Sequence, residues 1–203
     1  MPEAPEDFYA RTSAAADADG RLPLPDMNGW TEVFPFDLDG LQVVALRQPA
    51  PEQPRHGAGG VDCSACTGAS RHQVWSDDDW RLCLPNEASG ALVLLLEPRA
   101  HHDLADLPDD LAGDLGRLTT HLVRAIEGLP HTARAHVSRW GDGGEHLHLW
   151  FYARPSGQLQ LRGTYLASWD ELLPPLPEDV RSADSRAVAQ ALVASYGGTA
   201  PTG

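Results

Sequence analysis

The chain has 203 residues, 42% hydrophobic and 22% charged, which suits one domain, or one domain with an appendage, around a normal core. Its 15 basic and 29 acidic residues give a formal net charge of −14. That balance excludes a general nucleic-acid binder, which needs excess positive charge to displace counterions. All 15 basic residues are arginine, so neither a lysine Schiff base nor a phosphate-loop lysine is available. The longest apolar run, Ala91 to Leu96, is far too short to span a bilayer, and no membrane partner is expected. Acidic residues stand where a signal peptide would carry basic ones. Three cysteines, two of them in Cys63-Ser-Ala-Cys66, suit a reducing cytosol better than a disulfide framework, so a cytoplasmic protein is expected.

In chain order, residues 1–20 are acidic and alanine-rich and are expected to form a disordered arm. Residues 21–60 are read as an N-terminal strand, Leu41-Gln-Val-Val-Ala-Leu46, and a loop over 49–60 with three prolines and three glycines. A hairpin follows: Arg71 to Trp75 and Trp80 to Leu84 flank the turn-forming Ser76-Asp-Asp-Asp79. Ala91 to Leu96, continuously apolar between Gly90 and Pro98, reads as a central strand. From Pro108 to Gly128-Leu-Pro130 a helix is predicted, with Asp109 and Asp110 at its positive end. Its apolar set, Leu111, Leu115, Leu118, Leu122 and Ile126, recurs at helical spacing and should pack on the sheet. Two further strands, Ala133 to Trp140 and His146 to Ala153, form a second hairpin around Gly141-Asp-Gly-Gly144. The tail holds Trp169-Asp-Glu-Leu-Leu173, predicted helical, and a helix from about Glu178 to Tyr196, ended by Gly197-Gly198. The class is α+β, an antiparallel sheet with one long packed helix and a mostly helical extension over 156–203.

The chemistry concentrates in cysteine and histidine. With a strand period of two, His146, His148, Trp150 and Tyr152 share one face while Leu147, Leu149 and Phe151 face the helix. Two strand histidines without a task are the bland alternative. Cys63 and Cys66 are a redox pair, half a zinc site, or a coincidence of spacing. A redox pair would open a helix, and Gly68 followed by a strand gives a poor setting for that. Two imidazoles would complete a closed tetrahedral zinc site, and His101 or His102 together with His146 are the candidates.

These residues carry a family resemblance. Pro98-Arg-Ala-His101-His-Asp-Leu-Ala-Asp-Leu107, an amphipathic helix, then Glu145-His-Leu-His-Leu-Trp150 resembles the histidine triad superfamily over about residues 61–155. Asp62-Cys-Ser-Ala-Cys66 and Gln73-Val-Trp75 are similar to its zinc-containing members. The resemblance implies that His148 attacks phosphorus and becomes nucleotidylated. It also implies that His146 joins Cys63, Cys66 and the histidine before the helix as ligands of a structural zinc. His101 is the better match by its distance from Pro98, with His102 the alternative. The family commonly forms dimers, so a homodimer is an expectation. At the third triad position this chain has Trp150, where the galactose-1-phosphate uridylyltransferase branch has glutamine. An indole donates one hydrogen bond but shuttles no proton, which points away from ordinary nucleotide hydrolysis.

The leading expectation is therefore a zinc-containing hydrolase or nucleotidyltransferase of histidine-triad type. It would act on a small phosphorylated or nucleotide-like molecule through His148 and Trp150, with Arg139 and Arg154 as phosphate contacts. The rivals are a zinc-stabilised binding protein without chemistry, and the same fold using His148 as a general acid or base.

Overall fold

The computed structural model describes residues 13–21, 45, 48–49, 51–67, 72–86, 89–170 and 173–201. The chain divides into two compact units, Met1–Gln53 and Pro54–Gly203. In the first, residues 13–21 turn around Asp17, whose carboxylate accepts the backbone N–H groups of Asp19 and Arg21 at 2.9 and 3.0 Å. Residues 1–12 of the expected arm, and the strand expected over Leu41 to Leu46 apart from Ala45, lie outside the described residues.

The second unit is built on a five-stranded antiparallel sheet. Its strands are β1 (His72–Ser76), β2 (Trp80–Leu84), β3 (Val93–Pro98), β4 (Thr132–Ser138) and β5 (Leu149–Pro155), in the order β1-β2-β3-β5-β4. The β1–β2 turn closes because the Asp77 carboxylate accepts the N–H groups of Asp79 and Trp80 at 3.0 and 2.7 Å. Every residue of β3 is buried, as its unbroken apolar text predicts for a central strand. β3 runs to Pro98 because β2 reaches that far, with Trp80 opposite Pro98 and Arg81 opposite Glu97.

Helix α1 (Asp109–Glu127) carries Asp109 and Asp110 in its first turn and stops at Gly128. Leu115, Leu118, Leu122 and Ile126 are its buried residues, and Leu111 is half-buried against the same core. They meet Leu82, Leu94, Leu96, Leu147, Leu149 and Phe151 from one sheet face. Helix α3 (Glu178–Ser195) adds Val188, Ala189 and Leu192 to that core. Each fully buried leucine contributes on the order of 1.5–3 kcal/mol. The opposite sheet face carries a smaller cluster of Ala91, Val93 and Tyr152, closed by Leu161 and by Leu166 of helix α2 (Tyr165–Trp169). The helix expected at Trp169 to Leu173 thus ends where it was expected to start, and residues 171–172 lie outside the described set. Pro174 bars the helical region to Leu173, so the turn forms upstream. No helix among the described residues is long and apolar enough to cross a membrane.

One strand limit bears on function. β5 begins at Leu149, the last residue with a partner on β3, namely Leu96. His146 to His148 therefore lie on a lead-in to the strand rather than inside it, with a bend at Glu145 and His146. Among the described residues the backbone of that lead-in is anchored by the Leu147 N–H on the His102 carbonyl at 2.7 Å, and the His146 ring adds a bond to the Pro98 carbonyl.

Candidate metal centre and active site

Three segments converge at the end of β3. The loop before β1 supplies Cys63 and Cys66, the residues just past Pro98 supply His101, and the lead-in to β5 supplies His146. Their donor atoms all lie within 4.8 Å of one another. The His101 and His146 Nδ1 atoms are 3.3 Å apart. Nitrogen–sulfur separations are 3.4 Å for His101–Cys66, 3.5 Å for His146–Cys66 and 3.6 Å for His146–Cys63. A zinc tetrahedron with bonds of about 2.3 Å to sulfur and about 2.0–2.1 Å to nitrogen has edges of about 3.3 Å (N–N) and about 3.6 Å (N–S). Four of the six donor–donor edges thus match a zinc-sized tetrahedron, the other two lie within 4.8 Å, and two thiols with two imidazoles are a donor set that zinc takes.

Hydrogen bonds on the far side of each ring fix which nitrogen faces the cluster. His146 Nε2 donates to the Pro98 carbonyl at 2.9 Å, and His101 Nε2 donates to Glu145 Oε1 at 3.4 Å. Both Nδ1 lone pairs are thereby left to point inward. Glu145 is itself held by the Gly59 N–H at 2.8 Å and by Arg55 at 3.4 Å. The Gly59 N–H, followed by the His101 imidazole, sets its carboxyl below the usual carboxylate range. Burial pushes the Cys66 thiol up. It also raises Cys63, but there the N–H and the thiol of Cys66 outweigh it and leave Cys63 the more acidic of the two.

His148 stands beside this cluster and outside it. Its Nδ1–H donates to the His146 carbonyl at 2.8 Å, so Nε2 carries the lone pair. The face predicted from the strand period is present: His148 meets Trp150 with ring centroids 6.1 Å apart, and Trp150 stacks on Tyr152 at 5.9 Å. Trp140 closes the corner edge-on to both, at 6.0 and 6.1 Å. Trp150 also packs on the smaller cluster under Leu161 and Leu166, so its indole is a wall of the site.

The predicted arginines part company. The Arg139 guanidinium pairs with Asp103, two residues past His101, and crosses Gly141 so closely that a Cβ there would lie 2.0 Å from it. Arg154 is buried, with its guanidinium donating to the Pro155 and Gln158 carbonyls at 3.3 and 3.1 Å. It lies six residues past His148, about 20 Å along an extended chain. His102 contributes its carbonyl to Leu147, while the imidazole in the tetrahedron is that of His101. Cys83, on β2, is buried. Sequence reasoning missed Glu145, Arg55 and Asp103 as supports of the site. Arg55 reaches Asp103 across 48 positions and Glu145 across 90, and no local pattern announces such contacts.

No protein-family model and no curated protein matches the chain. Solved structures do. A histidine triad protein from Sinorhizobium meliloti superposes with a TM-score of 0.50 at 14% identity, over 60% of this chain and 90% of that one. A zinc-bound histidine triad family protein from Mycobacterium smegmatis gives 0.46 at 20% identity, over 64% and 89%. A uridylyltransferase gives 0.44 at 22% identity, over 63% of this chain and 44% of that one. At the level of fold the likeness read from the sequence holds: the antiparallel sheet with its long helix has the histidine-triad architecture.

Proposed function

We propose that the chain is a zinc-containing enzyme of histidine-triad type that transfers or hydrolyses a nucleotidyl, or similar phosphorus-linked, group through His148. The observation that carries this reading is the separation of two imidazoles two residues apart. His146 Nδ1 lies within 3.6 Å of both cysteines, whereas His148 is tied to a carbonyl through Nδ1 and keeps a lone pair on Nε2. Zinc on Cys63, Cys66, His101 and His146 would be closed to substrate and would act by holding three segments rigid. His148 Nε2 attacks phosphorus; a phosphorus–nitrogen bond forms as the bond to the leaving group breaks, and that group departs as an anion with the electron pair. Water, or an acceptor hydroxyl, then cleaves the phosphorus–nitrogen bond and restores the imidazole.

Arg139, on the lip beside Gly141, is the proposed phosphate contact, and Arg154 is assigned to holding the end of β5. Trp150 offers no proton, so the substrate brings a leaving group that departs without one, or an apolar part that packs on the indole. The substrate class is a small phosphorylated or nucleotide-like molecule, handled by a cytosolic protein that pairs as a homodimer. A zinc-stabilised binding protein without chemistry is the second reading, favoured by the packing of Trp150 on the smaller core cluster. Intact-mass measurement after incubation with nucleoside phosphoramidates, dinucleotides and sugar nucleotides separates the two. A nucleoside monophosphate adduct that disappears in His148→Ala supports the enzyme. Ligand bound with no adduct and no turnover supports the second reading and removes the first.

A further inference from the structure

Upstream of the two cysteines the loop is tied to the imidazole segment, with the His56 N–H and carbonyl bonded to Gly143 and Glu145 at 2.9 and 3.0 Å, but the knuckle over residues 62–67 has few backbone ties among the described residues. Its internal bonds are local turns, from the Thr67 N–H to the Cys63 carbonyl at 3.1 Å and from the Thr67 hydroxyl to the Ser64 carbonyl at 3.2 Å. Among the described residues, one hydrogen bond joins the backbone of 62–67 to the sheet: Arg81 Nη2 donates to the Ala65 carbonyl at 2.6 Å. Ala65 sits between the two cysteines, and its residue is 4% exposed. The same guanidinium donates through Nε to Glu97 Oε2 at 3.1 Å. Arg81 and Glu97 are register partners on β2 and β3, with side chains 16% and 1% exposed.

Glu97 is the residue before Pro98, whose carbonyl orients His146, and it is four positions before His101. We infer that Arg81 is a positioning residue of the metal centre: its guanidinium, aimed by the buried Glu97, locks the Cys63–Cys66 knuckle onto the end of β3 from which both imidazoles are set. The inference rests on the reading of Cys63, Cys66, His101 and His146 as a zinc site. It adds that Arg81, a side chain outside the ligand set, holds the thiolate half against the sheet end that sets the imidazole half.

A buried carboxylate demands a cation, and the planar guanidinium fork has donors in fixed directions. With Nε on Glu97, the Nη2 direction is set, and it falls on the knuckle carbonyl. A lysine at this position meets Glu97 or Ala65 but cannot hold both in a fixed plane. Partners behind metal ligands that fix their orientation are worth roughly tenfold to a hundredfold in metal affinity.

The test compares the parent with Arg81→Lys, which keeps the charge opposite Glu97, and with the double variant Arg81→Met, Glu97→Leu, which replaces the ion pair by apolar groups of similar size. Zinc is titrated against a chromophoric chelator, cobalt(II) is substituted to read the geometry of the thiolate–imidazole site by its visible spectrum, and the melting temperature of each zinc-free protein is recorded. Expected is a zinc affinity lower by roughly tenfold to a hundredfold in the double variant, with a smaller loss in Arg81→Lys, at little change in zinc-free melting. The cobalt spectrum should shift in both. An affinity within about twofold of the parent, or an unaltered cobalt spectrum, overturns the positioning role. Should the double variant fail to fold, Arg81→Lys decides by the same two readouts. A parent that binds no zinc at all removes the metal reading itself and this inference with it.

Discussion

The proton on His148 decides what that residue is able to do. A carbonyl oxygen accepts and never donates, so the 2.8 Å contact to the His146 carbonyl puts the hydrogen on Nδ1 and the lone pair on Nε2. His146 has the opposite arrangement, with Nε2–H spent on Pro98 and Nδ1 turned to the cysteines. His148→Ala should therefore abolish turnover while zinc content and melting temperature stay near those of the parent. His146→Ala should lose zinc and stability together; metal analysis and thermal melts of the pair check this, and equal behaviour of the two variants contradicts it. Trp150 gives a second residue-scale outcome. A positioned donor to the leaving group is commonly worth about 3–4 kcal/mol in the barrier, or two to three decades in rate, and the indole is stacked on Tyr152 and hemmed by Trp140. Generic adenosine phosphoramidates and dinucleotides should be hydrolysed slowly or not at all, and Trp150→His should raise that rate. The same substitution gives up ring pairs worth about 0.5–1.5 kcal/mol each, so the faster variant should melt lower. Brisk hydrolysis by the parent, with no gain in the variant, would make Trp150 a bystander.

Between elements, the run after α3 shows how a short segment is fixed to the sheet edge. Ser76 of β1 and Thr199 exchange both backbone bonds, at 2.9 and 2.8 Å, and Trp75 Nε1 donates to the Gly197 carbonyl at 2.8 Å. Gly198 lies between these contacts at φ 76°, and a Cβ there would approach the Trp75 ring to 2.6 Å. Gly198→Ala therefore meets both the left-handed penalty, about 1–2 kcal/mol, and a clash with a fully buried ring. A loss of at least about 2 kcal/mol in denaturant melts is expected, with zinc content unchanged; a neutral result would show that the segment detaches freely. This level is also where the sequence was least legible. The period of α1 and the unbroken apolar text of β3 are local properties, and both elements formed where those patterns lie. β5 begins where its pairing with β3 stops at Leu96–Leu149, although β3 itself runs on to Pro98 against β2, so the histidine segment became a lead-in although its alternation of faces held. The spacing of Cys63, Cys66, His101 and His146 was readable because ligand chemistry restricts the residue types, whereas Glu145, Arg55 and Arg81 are common charges whose roles come only from three-dimensional neighbours.

At the scale of the whole second unit, two acid-sensitive devices hold the same corner, and they should fail at different pH. On the proposed reading, four ligands on three segments would make zinc binding part of the folding free energy. At free zinc a thousandfold above Kd the contribution is about 4.1 kcal/mol, or about 8–16 °C in melting temperature for a chain of this size. Protons compete for thiolate sulfur and imidazole nitrogen, so this contribution is full only above the free thiol value of about 8.5, shrinks as pH falls through neutrality, and should vanish by about pH 5. The second device is Asp103, whose carboxylate accepts from Arg55 at 2.6 Å, from Arg139, and from the Leu104 N–H at 2.7 Å. Burial raises its carboxyl, but Arg55, the Leu104 N–H and Arg139 together outweigh that and hold it below the usual range. A carboxyl lowered in the folded state stabilises above its unfolded value of about 3.9 and is lost as pH falls through the folded one. Acid titration followed by metal analysis and circular dichroism should therefore show zinc leaving first, with the fold weakened but present, and the Asp103 corner releasing only at lower pH. In Asp103→Asn the second event should disappear while zinc release keeps its midpoint. A single transition in which zinc and fold depart together in both proteins would mean that the metal and the arginine–aspartate contacts form one cooperative unit.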